Sequence, residues 1–80
     1  MNRYAEAIEN IMSENNLFGE IVEYSNNKVA VEIFWGDWKH EHLRLEWLVR
    51  ENIPELKHIE AVTTEEDGSD CYSAVHKFFF

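Results

Sequence analysis

The order of local patterns is the feature that most constrains the fold, because a helical pattern followed by two strand-like runs occurs twice in the chain. Helices are predicted over residues 2–15 and from Trp38 to Glu51, and each precedes two apolar runs joined by a turn sequence. No linker or low-complexity stretch separates the halves. We therefore expect one α+β domain over residues 1–80, with the element order α-β-β-α-β-β.

The first helix combines an apolar face with a face that is mostly carboxylate. Its apolar residues recur at helical spacing, and they are Met1, Tyr4, Ala5, Ile8, Ile11 and Met12. Asn2 is a suitable N-cap, since its side-chain oxygen can accept a bond from a free backbone N–H. Asn15-Asn16 suits the end of the helix, because Asn tolerates the left-handed conformation of a C-cap.

The first hairpin is predicted from the apolar runs Phe18 to Tyr24 and Val29 to Trp35, joined by Asn26-Asn27. The hydrophobic pattern favours one register. Its pairs are Tyr24 with Val29, Val22 with Val31, and Phe18 with Trp35. We expect these six residues to share one face, with Glu20 opposite Ile33 as the exception. The opposite face then carries Ile21, Glu23, Ala30, Glu32 and Phe34.

The second half begins at Asp37, a suitable cap for the second helix, which Ile53-Pro54 ends. The last two strands are predicted over about Leu56 to Thr64 and Cys71 to Phe79, joined by a turn containing Asp67-Gly68. One face of this hairpin carries Ile59, Ala61, Tyr72, Ala74 and Phe78. The other carries Leu56, Val62, Cys71, Val75 and Phe79. We favour burial of the first set, because its small alanines let a helix approach closely.

Two helices on one face of a four-stranded sheet make a two-layer sandwich. Interleaved hairpins would give a circular permutation of the ferredoxin-like arrangement, with the second and fourth strands central. Hairpins that lie side by side would give a simpler sheet. The sequence leaves both arrangements open.

Charge and composition exclude several classes of function. Sixteen acidic residues against seven Lys and Arg give a formal net charge of −9, which disfavours direct binding to nucleic acid. A single Cys cannot form an intramolecular disulfide, so a reducing, cytoplasmic location is expected. No apolar run approaches the roughly 20 residues of a membrane span.

Metal and catalytic chemistry have little support in the spacing of the candidate residues. His40 and His42 lie about 200° apart around a helix and cannot share an ion. The predicted strands place His76 opposite Ile59 and His58 opposite Lys77, on opposite faces of the sheet. No base reaches Cys71 in this arrangement. We therefore expect no metal, no cofactor and no enzymatic activity.

The second helix carries the best candidate for a binding surface. Its apolar stripe toward the sheet is expected to be Trp38, Leu45, Leu48 and Val49. Leu43 and Trp47 form a separate pair on nearly the opposite side, beside Arg44, and Trp with Arg is typical of an interface hot spot. Trp47 folded over the helix edge to cover core residues is the alternative.

Two further groups extend this candidate surface. The first is Ile21 and Phe34 on the outer sheet face. The second is the acidic turn of the second hairpin, with Glu65, Glu66, Asp67 and Asp70.

These features predict a non-catalytic acidic module that binds a protein partner. The sharpest version is an inhibitor or nucleic-acid mimic, of the kind made by phages and mobile elements, that acts on a basic nucleic-acid-binding protein. The alternative is a small-ligand or metal-binding regulatory domain that works as a homodimer.

Overall fold

The computed structural model describes residues 2–35, 40–65 and 72–80, and gives only the backbone at 34–35, 40–42, 63–65 and 72–73. Its elements are α1 (Arg3–Glu14), β1 (Gly19–Ser25), β2 (Lys28–Trp35), α2 (His40–Asn52), β3 (His58–Glu65) and β4 (Tyr72–Phe79). The predicted α+β class, the element order and the packing of two helices on a four-stranded sheet are confirmed. The predicted cap Asp37 and the predicted helix residue Trp38 lie outside the described residues.

Helix α1 begins where the sequence predicts, because Asn2 caps it. The Asn2 side-chain oxygen accepts a hydrogen bond from the backbone N–H of Ala5 at 2.9 Å. The Asn2 amide also donates to the backbone carbonyl of Ser25, at the end of β1. One side chain therefore both starts the helix and joins it to the first hairpin.

The other end of α1 is closed by a left-handed residue. Asn16 has φ of 55°, and the N–H of Leu17 donates to the carbonyl of Met12 at 2.9 Å. This bond is typical of a Schellman motif, which satisfies carbonyls that the helix itself leaves free. Leu17 and Met12 are both buried, so the motif also returns the chain to the core.

The four strands form one antiparallel sheet in the order β1-β2-β4-β3. The hairpins β1–β2 and β3–β4 do not interleave; they lie side by side and join through pairing of β2 with β4. The second and fourth strands are therefore central. The central strands agree with the permuted arrangement, but the interleaving from which we predicted it is absent from the described sheet, so circular permutation of a ferredoxin-like arrangement is not confirmed.

The register of the first hairpin departs from the prediction because β1 contains a bulge. Tyr24 lies opposite Val29 as predicted, but Val31 faces Ile21 and not Val22. Val22 is the one residue left over between the two paired stretches of β1. The predicted register assumed an unbroken ladder, so it is wrong on the N-terminal side of this residue.

The bulge reverses the faces of the N-terminal part of β1. Ile21 turns to the helix side and packs against the core, so its predicted place on the outer face is wrong. Phe18 precedes β1, so its predicted pairing with Trp35 is also wrong. Phe18, Val22 and Tyr24 are 72%, 50% and 50% exposed. Their predicted partner residues Val29 and Val31 on β2 are, in contrast, fully buried.

Close approach of β1 to β2 requires glycine at the start of β1. A Cβ atom on Gly19 would lie 2.5 Å from the backbone carbonyl oxygen of Glu32. Any side chain at this position would therefore force the two strands apart.

The second hairpin buries part of the face that we favoured: Ala61 of that set is exposed, and Leu56 of the other set packs against the core. Ala74 and Phe78 are fully buried, and Ile59 packs against the core opposite Phe78. His76 faces Ala61, and His58 faces Phe79, so the predicted partners of both histidines are wrong. These pairings differ from the prediction by an even number of positions, so the two histidines still face opposite sides.

The core lies between the helices and one face of the sheet. Its fully buried side chains from the sheet are Val29, Val31, Ile33, Ala74 and Phe78, and those from the helices are Ala5, Ile8, Leu45 and Val49. Phe80 follows β4, is buried, and stacks on Tyr4 with ring centroids 4.1 Å apart. Within the described ranges, neither helix is long and apolar enough to cross a membrane.

Candidate interaction surface

Helix α2 exposes two large apolar side chains. Leu45 and Val49 are fully buried against the sheet, and a helix turns 100° per residue. Leu43 and Trp47 consequently face away from the core, where they are 53% and 59% exposed. Trp47 therefore does not cover the core. We call Leu43, Arg44 and Trp47 the α2 patch.

Arg44 is held at the end of α1. Its two terminal nitrogens lie 3.5 Å and 3.4 Å from the backbone carbonyl oxygen and the side-chain oxygen of Asn15. These are long, solvent-exposed hydrogen bonds, so they orient the guanidinium weakly. Arg50, one turn beyond Trp47, is also exposed. The immediate surroundings of Trp47 on α2 thus include two positive charges.

Several described carboxylates lie on α1 and on the sheet. Glu6, Glu9 and Glu14 are exposed on α1, whose last turn contains no basic residue. Glu20 and Glu32 lie directly opposite each other on β1 and β2, an arrangement in which like charges repel. These five carboxylates lie on elements other than α2, whereas Glu51 is exposed on α2 itself, one turn beyond Trp47.

Of the remaining predicted partner-binding residues, only Ile21 has a described side chain, and it is not part of the α2 patch. Ile21 lies on the helix side of the sheet and is partly buried in the core. The backbones of Phe34 and Glu65 pair with Ser73 and Tyr72, and their side chains are not described. Three predicted residues of the acidic turn lie outside the described residues: Glu66, Asp67 and Asp70.

A buried polar contact between β4 and α2 was not predicted. His76 has no exposed surface, and its Nδ1 atom lies 3.1 Å from Oε1 of Glu46. Glu46 follows Leu45 and is itself only 19% exposed in its side chain. The contact therefore fixes α2 on the sheet, and the imidazole lies where a reactant in solution does not reach it.

The only sequence signal for this contact is the position of His76 in β4, where every second residue faces the core. His76 stands between Ala74 and Phe78, which share its face of β4. Nothing local indicates Glu46 as its partner, because 30 residues separate the two along the chain.

Among the residues whose side chains the structure describes, no three or more His, Cys, Asp or Glu side chains converge as a metal site would require. The side chains of His40, Glu41 and His42 are outside this set. Cys71 lies outside the described residues.

No family model matches the sequence, and comparisons with curated proteins and with solved structures find no match.

Proposed function

We propose that this protein is a non-catalytic interaction module that binds a basic protein partner, with the α2 patch as its apolar anchor. The exposure of Leu43 and Trp47 on one face of α2 is the observation that supports this most directly. Contiguous exposed apolar side chains mark interaction surfaces in folded proteins. Trp beside Arg is also the composition of the residues that dominate interface energies.

The charge of the protein supports a basic partner. A net charge of −9 produces a long-range field that speeds encounter with a positively charged protein. The exposed carboxylates of α1 and of the outer sheet face are among the described sources of this field. Arg44 and Arg50 lie beside Trp47, so a well-matched partner offers acidic or polar groups at that place and basic groups around it.

A narrower form of the proposal is that the module inhibits a nucleic-acid-binding protein by imitating a phosphate array. Carboxylates fixed on a helix and a sheet keep constant spacing, as phosphates on a duplex do. Addition of duplex DNA should then displace the module from its partner in proportion to DNA concentration. A complex that duplex DNA leaves intact would refute this narrower form alone.

The general proposal is tested by capturing partners with matched variants at several salt concentrations. Trp47→Ala removes the anchor. Val62→Ala is the matched control, because Val62 is 61% exposed on the other face of the sheet. We expect wild type and Val62→Ala to capture the same basic protein, and Trp47→Ala to bind it at least about thirtyfold more weakly.

Two results would overturn the proposal. The first is capture that Trp47→Ala leaves unchanged, or that high salt leaves unchanged. The second comes from size-exclusion chromatography with light scattering. A dimer that Trp47→Ala converts to a monomer would show that the α2 patch serves self-association, which favours the homodimeric alternative.

A further inference from the structure

A cleft between the end of α2 and the start of β3 has a different character from the rest of the surface. It is a half-open cavity of about 150 Å³, lined by Arg50, Leu56, Lys57, His58 and Ile59. We call it the α2–β3 cleft. Two of its five lining residues, Arg50 and Lys57, are among the seven Lys and Arg of the chain, and His58 adds an imidazole.

Two of these basic groups, Arg50 and Lys57, form no ion pair with a described carboxylate, although Glu51, Glu55 and Glu60 are chain neighbours of lining residues. Glu55 is engaged by Arg3, with the two charged atoms 2.8 Å apart. Glu60 lies 3.4 Å from Nε2 of His58. Among the described residues, neither Arg50 nor Lys57 has a carboxylate within ion-pair distance. Positive charge is thus concentrated at a concave site, where an anion can contact several donors together.

The wall of the cleft is held in place by backbone hydrogen bonds. The N–H of Lys57 donates to the carbonyl of Phe79 at 2.8 Å, and the N–H of Leu56 donates to the carbonyl of Ile53 at 3.1 Å. Leu56 and Ile59 pack against the core, so they form an apolar floor. A ligand that fits this wall has an anionic group and a small apolar group.

We propose that the α2–β3 cleft binds the phosphate group of a small phosphomonoester. A guanidinium can donate two parallel hydrogen bonds to phosphate oxygens, and an ammonium adds a further charge-assisted bond. A phosphate monoester has three terminal oxygens for such donors, and its organic group can rest on Leu56 and Ile59. The carboxylates elsewhere on the protein oppose this binding little, since salt screens exposed charges beyond about 8 Å.

The test is a titration of the full chain, followed by the backbone amide NMR signals, with phenyl phosphate and with inorganic phosphate at constant ionic strength. We expect saturable shifts at Leu56, Lys57, His58 and Ile59, with tighter binding of phenyl phosphate. Arg50→Gln should weaken binding about tenfold, as loss of charge-assisted bonds predicts. Arg44→Gln, an exposed arginine of the same helix outside the cleft, should leave binding unchanged.

Four results would overturn this assignment: shifts that do not saturate, equal effects of Arg50→Gln and Arg44→Gln, equal affinity for inorganic and phenyl phosphate, and benzoate binding as tightly as phenyl phosphate. If Arg50→Gln fails to fold, as its amide spectrum would show, Lys57→Gln takes its place with the same expected loss. The cleft and the α2 patch share no residue, and Lys57→Gln tests the cleft without changing a charge beside Trp47, so either proposal can fail alone.

Discussion

The two helices bury similar faces and expose very different ones. Both place aliphatic side chains on the same side of the sheet, such as Ile8 of α1 and Leu45 of α2. Toward solvent, α1 carries carboxylates, whereas α2 carries Leu43 and Trp47. The inward faces are alike, so the need to form a core explains the residues of both. It does not explain why α2 exposes two large apolar side chains to solvent. This contrast is why α2 is our candidate for contact with a partner.

The largest expected effect comes from two substitutions two residues apart on α2. Leu45→Ala should lower the free energy of unfolding by about 2–5 kcal/mol, because Leu45 is fully buried. Leu43→Ala, at a half-exposed position, should change it by no more than about 0.5 kcal/mol. Urea denaturation followed by circular dichroism measures both. Equal losses would show that both faces of α2 are buried, which would remove the contrast between the helices.

A smaller effect is expected at the buried polar contact of α2 with the sheet. Glu46→Ala should cost about 1–3 kcal/mol, since the Nδ1 atom of His76 loses a buried hydrogen-bond partner. Glu46→Gln keeps a side-chain oxygen near the imidazole and should cost less. Thermal and urea unfolding of the two variants decide this. If both variants match wild type, the contact does not contribute to the attachment of α2.

At the start of α1, Asn2→Ala should lower the free energy of unfolding by about 1 kcal/mol, because the N-cap bond to Ala5 is lost. Asn2→Asp keeps the capping oxygen but cannot donate to the carbonyl of Ser25. Comparison of the two variants by urea denaturation separates the cap from the link to the hairpin. Wild-type stability in Asn2→Ala would show that packing alone fixes the start of α1.

The smallest effect concerns the acidic outward face of α1. Ser13→Lys should raise the free energy of unfolding by about 0.3–0.8 kcal/mol, because the lysine would pair with Glu9 one turn earlier and complement the helix dipole. Ser13→Glu should have the opposite sign. Both effects should shrink as salt is added. A gain that is equal at low and high salt would contradict the electrostatic explanation.

Local signals predict α1 and the β2 side of the first hairpin. Asn2, Asn15 and Asn16 act at the residues where the sequence indicates caps, and Tyr24 meets Val29 at the turn. Neighbouring residues decide each of these features, so one sequence is sufficient for them.

Features that depend on distant residues are less accessible to sequence reasoning. Val22 is of a residue type that is common in regular strands. The sequence of β1 therefore resembles that of a regular strand and does not reveal the bulge. The contact of His76 with Glu46 and the clustering of Arg50 with Lys57 arise only when α2 is placed on the sheet. Exposure of Leu43 and Trp47 is the exception, because the period of the helix alone predicts it.

The bulge also affects how the chain tolerates changes in length. Deletion of Val22 would leave every other observed pair of the β1–β2 ladder in place. The deletion should therefore preserve the fold while making an edge strand regular, and regular edges are templates for aggregation. Light scattering of the deletion variant during heating should rise at a lower temperature than that of wild type. Unchanged scattering would refute a role of the bulge in preventing aggregation. In this view, the residue that breaks the pattern of β1 keeps separate molecules from joining their sheets.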